Sequence, residues 1–397
     1  MYKSKNNRTV LNRSISIAIV GLIVTVVFIT WLALDRTDRH IKNNFADSLI
    51  AVNTSVKQSI NTWADNRASE ARHIIKNDEV LPMIEALLAL SRDHDSLVNS
   101  SELKAIRAFY HRQNRHIGAL GFFVIAPDGT SLASSRDENI GSINWLVKQQ
   151  PELMKRAFSG ENLFIPMVIS DVALKDKSGR FVQKAPTLFF TALMRNNFGE
   201  IIAIFTLRFN PVKALSEISQ AGTIGQTGET YVLDKSGRLL TESRFKHQFS
   251  ITAKDSGSNS TRQVLQARDP GGNFTGGYEP VNDQSVWPLT VMAKSVTTGR
   301  TDYNVNGYRD YRGVPVIGAW TWIEEIGVGL ATEIDMFEVN DAYNSMRTLI
   351  LWSLGSISFI ALLLMGMVLY RNYTLHQQIA ARKQAEARGC CRFVISR

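Results

Sequence analysis

The residues of this chain that could do covalent or metal chemistry are few. Asp93, His94 and Asp95 stand together, and His111 and His116 follow, so each set could donate to a metal. Neither spacing puts two ligands on one face of a helix, and both lie in polar stretches, so both read as solvated surface. Ser101 and Lys104 have the spacing of a Ser-x-x-Lys nucleophile pair, but no companion motif supports it, and a helix N-cap is the simpler reading. The glycine-rich run 271–277 lacks the lysine and following helix of a phosphate cradle and reads as a loop. Gly-x-Ser-x-Gly, His-Glu-x-x-His and Gly-Lys-Ser/Thr patterns do not occur. The two cysteines, Cys390 and Cys391, are adjacent and have no His beside them, a poor metal-binding arrangement. No catalytic residue, cofactor or metal site is therefore expected, and the chain is not expected to be an enzyme.

What remains is binding. A small polar ligand needs opposite charges for its two ends and an aromatic wall. Arg136, Asp137, Trp145, Phe164, Asp171 and Arg195 offer these in the stretch that follows one sharp turn, and they are the expected ligand site.

The elements that must position such a site show a repeat. Residues 228–245, GETYVLDKSGRLLTESRF, alternate apolar and polar residues on either side of Asp234-Lys235-Ser236-Gly237, as two strands joined by a tight turn do. Residues 122–135, FFVIAPDGTSLASS, repeat the pattern without a gap, aligning Gly129 with Gly237, Leu132 with Leu240 and Ser135 with Ser243. Strand-like runs follow at 163–169, 187–194 and 201–209, and again at 314–323 and 328–334. A third hairpin signal sits at 176–180, and 254–278 reads as an irregular loop. Ahead of the first sheet unit, apolar residues recur every three or four positions from Ile41 to Ile75 with no Pro or Gly, predicting one helix of about ten turns. Shorter helices are predicted near 81–90, 102–116, 143–158 and 211–220, with 91–101 a polar link.

Charge divides the chain more sharply. The formal net charge of +9 resides in two tails, 1–14 and 371–397, while the stretch between them is balanced, which excludes a nucleic-acid-binding surface as the reason for the high pI. Next to these tails lie uncharged apolar runs at 15–34 and 349–370, each long enough to cross a hydrocarbon core of about 30 Å. Basic residues outside both runs put both termini in the cytoplasm and 35–348 on the other side. With no cysteine in 35–348, core packing alone must stabilise it.

Two apolar spans around a long helix and two hairpin-led units, closed by YRGVPVIGAWTWIEEIGVGLATEID at 311–335, resemble the double Cache sensor domain of bacterial transmembrane receptors, above all of sensor histidine kinases. The resemblance implies an α+β fold of two stacked PAS-like units on the long helix, flanked by two transmembrane helices. Its expected division is 1–14 cytoplasmic tail, 15–34 first span, 35–118 long helix and helical lead-in, 119–220 membrane-distal unit, 221–348 membrane-proximal unit, 349–370 second span and 371–397 cytoplasmic tail. It further implies small-molecule sensing by the distal unit, a two-pass protein of the bacterial inner membrane with a periplasmic sensor, a homodimer, and a cytoplasmic output module. Residues 375–388 resemble the helix leading into such a module, whereas 389–397 abandon the helical pattern, as a truncated or frameshifted end would. A histidine kinase is the expected output, with a diguanylate cyclase, a chemoreceptor, or a non-signalling membrane-anchored binding module as alternatives.

Overall fold

The computed structural model of the chain describes residues 3–161, 163–170, 173–175, 181–182, 186–249, 265–280 and 282–394. In chain order the elements are α1 (Lys3–Ile75), α2 (Val80–Ala89), α3 (His94–Val98), α4 (Ser101–Ile117), β1 (Gly121–Ile125), β2 (Ser131–Ser134), α5 (Trp145–Gln149), α6 (Pro151–Phe158), β3 (Phe164–Ile169), β4 (Leu174–Lys175), β5 (Phe181–Val182), β6 (Pro186–Arg195), β7 (Ile201–Phe209), α7 (Pro211–Gln220), β8 (Glu229–Leu233), α8 (Lys246–Phe249), α9 (Val291–Val296), β9 (Asp302–Arg309), β10 (Pro315–Ile323), β11 (Val328–Asp335) and α10 (Met336–Val394).

The chain divides into two units, Met1–Asn43 with Val339–Arg397, and Asn44–Glu338. In the first, α10 is long and apolar enough to cross a membrane, with a window of mean hydropathy 2.1 and none of it buried. In the same unit, Ile23, Val24, Val27, Phe28 and Trp31 of α1 are exposed as well. Among the described residues helical geometry continues to Val394, past the departure from helix expected after 388.

The second unit holds two antiparallel sheets. The first runs β2-β1-β7-β6-β3 and the second β8-β11-β10-β9, with β4 and β5 forming a small separate ladder. Residues 44–75 of α1 serve both sheets. Ala71 and Ile74 cluster with Phe122, Val124, Phe190 and Phe205 of the first. Val56 and Ile60 cluster with Val232, Leu330 and Val328 of the second. The three-to-four spacing of the apolar stripe makes this possible, because it keeps one face of the helix turned to the sheets throughout. One polar residue interrupts that stripe. Asn53 is buried, and its Nδ2 donates to the carbonyls of Ala319 and Leu330, 3.3 Å each, and to Thr332 Oγ1 at 3.2 Å.

The two predicted turns match bond for bond. Ala126 N–H donates to Thr130 O and Gly129 N–H to Ala126 O; Asp234 N–H donates to Arg238 O and Gly237 N–H to Asp234 O. Gly129 and Gly237 occupy the same left-handed conformation, φ 87° and 81°. Only the first hairpin goes on to build a second strand. After Gly237 the chain makes bridges alone, Leu233 with Leu239 and Arg238 with Gln266.

Several helices differ from their sequence-based limits. The run 143–158 is two helices, α5 and α6, because Pro151 starts a new one at its N1 position. The polar link 91–101 contains α3, capped by Asp93, whose carboxylate accepts from Ser96 N–H. The N-cap of α4 is Ser100 rather than Ser101. The turn 176–180 and the first part of the loop, 254–264, lie outside the described residues.

Candidate functional site

Each sheet turns one face to α1 and the other to the chain that crosses over it, and polar side chains collect on that second, inner face. On the first sheet, strand alternation sends Phe123, Ile125, Phe189 and Ile204 inward, where they pack with Leu146, Met154 and Ala157 of α5 and α6. The same alternation sends Thr187, Thr191, Thr206 and Arg208 inward, all of them buried. Arg208 is 6% exposed. Its Nε donates to Thr187 Oγ1 at 3.1 Å, its Nη2 donates to Ser170 Oγ, and its guanidinium lies 5.6 Å from the centre of the Phe189 ring. A buried guanidinium framed by hydroxyls and an aromatic face has the geometry to receive a carboxylate or another planar anionic group.

Of the six residues expected from the sequence, the five that are described do not gather in one place. Trp145 stands on this inner face, half-buried, its ring 6.4 Å from Phe189. Phe164 packs on the opposite face with Phe190, ring centroids 4.8 Å apart, where it joins the α1 side of the sheet. Arg136 is exposed, and Asp137, also exposed, pairs with Arg107 of α4 at 2.6 Å. Arg195 is exposed at the end of β6, donating to Gly199 O at 2.7 Å. Asp171 lies outside the described residues. Arg208 escaped the sequence reading, although its signal was there: in Ile201–Phe209, Thr206 and Arg208 are the two polar residues, two positions apart and so on one face.

The inner face of the second sheet is built differently. Glu229 and Tyr231 of β8, Tyr308 of β9 and Glu333 of β11 are all buried there, with Tyr311 and Arg312 from the turn after β9. Tyr231 and Tyr308 donate their hydroxyls to the two oxygens of Glu333, at 2.8 and 2.6 Å. Tyr311 donates to Glu229, which also accepts from Arg244 N–H at 2.7 Å. Arg312 Nε reaches Asp310 at 2.6 Å and Nη2 reaches Asp335 at 2.5 Å, while its guanidinium stacks 3.9 Å over Phe245. Burial pushes Glu333 up to about 8, helped by the charges of Asp310 and Glu229 and opposed by the two tyrosines. Burial raises Glu229 as well, and pushes Asp310 up to about 6 against the pull of Arg312.

At its other end β11 runs directly into α10, and that joint is held. Glu338 accepts from the backbone N–H groups of Gln226 and Thr227, both at 2.9 Å, and from the Thr227 hydroxyl at 2.6 Å. Partial burial works against ionisation of Glu338, yet these donors outweigh it and hold the carboxyl below its ordinary value. Among the described residues no cluster of three or more His, Cys, Asp or Glu could hold a metal ion.

No family model matches the sequence, and no curated protein matches it. Solved structures do. The chain is similar to the sensory domain of the Campylobacter jejuni chemoreceptor Tlp3, at 11% identity and a TM-score of 0.43, covering 77% of this chain and 99% of that one. It is similar to the extracellular domain of the putative histidine kinase mmHK1S-Z2, at 11% identity and TM-score 0.40, over 74% and 98% of the two chains. The sensor domain of the V. cholerae histidine kinase DctB gives 14%, TM-score 0.38, and 75% and 98%. Among the described residues the layout of this chain is mixed α/β, a long helix with two antiparallel sheets.

Proposed function

We propose that the chain is the input half of a two-pass membrane receptor that senses a small molecule outside the cytoplasm and passes the signal inward through α10. The observation that carries this reading is Arg208, a buried guanidinium on the inner face of a sheet, framed by Thr187 and Ser170 and walled by Phe189, with Trp145 beyond. The ligand class that suits it is a small anion or zwitterion bearing a carboxylate. Trp145 is the one described residue of the six expected from the sequence that this site takes in. Ligand on this face would favour one packing of the first sheet against α1 over another, and a modest difference in affinity between two states is enough to shift their populations. Output by a histidine kinase supplied beyond α10 is the form of signalling this reading favours, and 371–397 would lead into it.

The test is a thermal-shift screen of the full chain in detergent against amino acids, organic acids and amines. Acids or amino acids should raise the unfolding midpoint, and Arg208→Gln should abolish the rise. Amines alone giving a shift, or a shift unchanged in Arg208→Gln, would remove the proposed site.

A further inference from the structure

The inner face of the second sheet holds more acid than base. Glu229, Glu333, Asp310 and Asp335 converge there, and Arg312 is the guanidinium that pairs with two of them. Glu333 is the member without a cation at its oxygens; two phenols hold it instead. The groups facing it come from every side. From β8 come Tyr231 and Glu229, from β9 Tyr308, from the turn after it Asp310, Tyr311 and Arg312, and from the segment after β8 Ser243 and Arg244. Its own strand adds Asp335, whereas α9 and β10 contribute the uncharged Met292, Ala293, Val296, Val316 and Trp320.

We infer that the Glu333–Tyr231–Tyr308 and Glu229–Tyr311 pairs form a proton-operated latch on β11, closed at acidic pH and loosened at alkaline pH, which sets how firmly the joint between β11 and α10 is held. The physical basis is like-charge crowding in a dry place. A proton on Glu333 keeps its charge out of the group formed by Asp310, Asp335, Glu229 and Arg312. Its loss adds an anion beside Asp310 and Glu229 with no cation at its own oxygens, and hydration of that charge requires the inner face to open. Two residues on, Asp335 is tied to Arg312, and its N–H donates to Thr227 Oγ1 at 3.2 Å, so opening at Glu333 reaches the Thr227–Glu338 clamp through a very short length of backbone. This device is independent of any ligand on the first sheet.

The sign of the effect follows from the raised carboxyl. Unfolded, Glu333 releases its proton near 4.5; folded, it keeps it to about 8. Its contribution to stability is therefore fully present below 4.5 and is lost as pH rises towards 8.

The experiment uses the full chain in detergent, free of ligand, with Glu333→Gln and Tyr308→Phe. The wild-type unfolding midpoint should fall by about 2 °C per pH unit between pH 5 and 8 and then level. Hydrogen exchange at Gln226 and Thr227, corrected for intrinsic rate, should show weaker protection at pH 8.5 than at pH 5.5. Glu333→Gln should flatten both profiles, because the amide keeps the shape and carries no titrating proton. Tyr308→Phe removes a donor that favours the ionised form and should move the transition to higher pH. A wild-type profile without the fall, or a Glu333→Gln profile that retains it, overturns the latch. Should Glu333→Gln fail to fold, an unmoved transition in Tyr308→Phe overturns it alone.

Discussion

The two sheets share a turn to the hydrogen bond, yet their inner faces carry opposite chemistry. On the first, hydroxyls of Thr187 and Ser170 surround a guanidinium; on the second, phenols surround carboxyls. A buried guanidinium offers an outside anion charge-assisted bonds in a fixed plane. A buried carboxyl held by two phenols has a proton as its natural partner. The scaffold thus fixes where the chemistry points, and a few inward positions decide what it responds to.

The comparison can be broken most severely at the cations. Arg312→Met would leave Asp310, buried, and Asp335, half-buried, without their partner and should cost about 3 kcal/mol or more at pH 8, less at pH 5.5 where Asp310 takes up a proton, as read by denaturant titration at the two pH values. Arg208→Met removes charge-assisted bonds to Thr187 and Ser170, and should cost about 2 kcal/mol on the same measurement. Equal losses at the two sites would mean that the second sheet gains nothing from pairing its excess acid. The smallest effects belong to the shared turn. Alanine at Gly129 or Gly237 must adopt a left-handed conformation, at about 1–2 kcal/mol. Gly237→Ala should be the worse of the two in thermal denaturation, since its added Cβ would sit 2.6 Å from Leu289 Cδ2, against 3.4 Å from Val147 Cγ1 at Gly129.

How far these features could be read in the sequence follows from how local they are. The turns were legible because Gly129 and Gly237 answer to a demand of their own four residues. The α1 stripe was legible because its period is a property of one segment. Strand β9 was not, since Asp302–Arg309 is an edge strand with mostly half-buried or exposed side chains, and its brief alternation, Tyr303 and Val305, stops at Asn306-Gly307. The acid cluster was illegible for another reason. Glu229 and Glu333 sit on neighbouring strands that only the tertiary fold brings together, and each taken singly looks like a solvent-facing acid. The expected binding residues included the visible charges near the first turn, Arg136 and Asp137, which the structure leaves at the surface. Arg208 was hidden inside an apolar strand, where only its parity with Thr206 set it apart.

Asn53 bears on what kind of movement α1 can make. A purely greasy stripe would let the helix creep along the second sheet in small increments, each position nearly as good as the next. The buried amide instead acts as a detent: a shift of a single residue would carry it away from Ala319 O, Leu330 O and Thr332 Oγ1 and strand a polar group against hydrocarbon. Travel of α1 past this sheet is therefore stepped rather than graded, with rest positions set by where an amide can find new carbonyls.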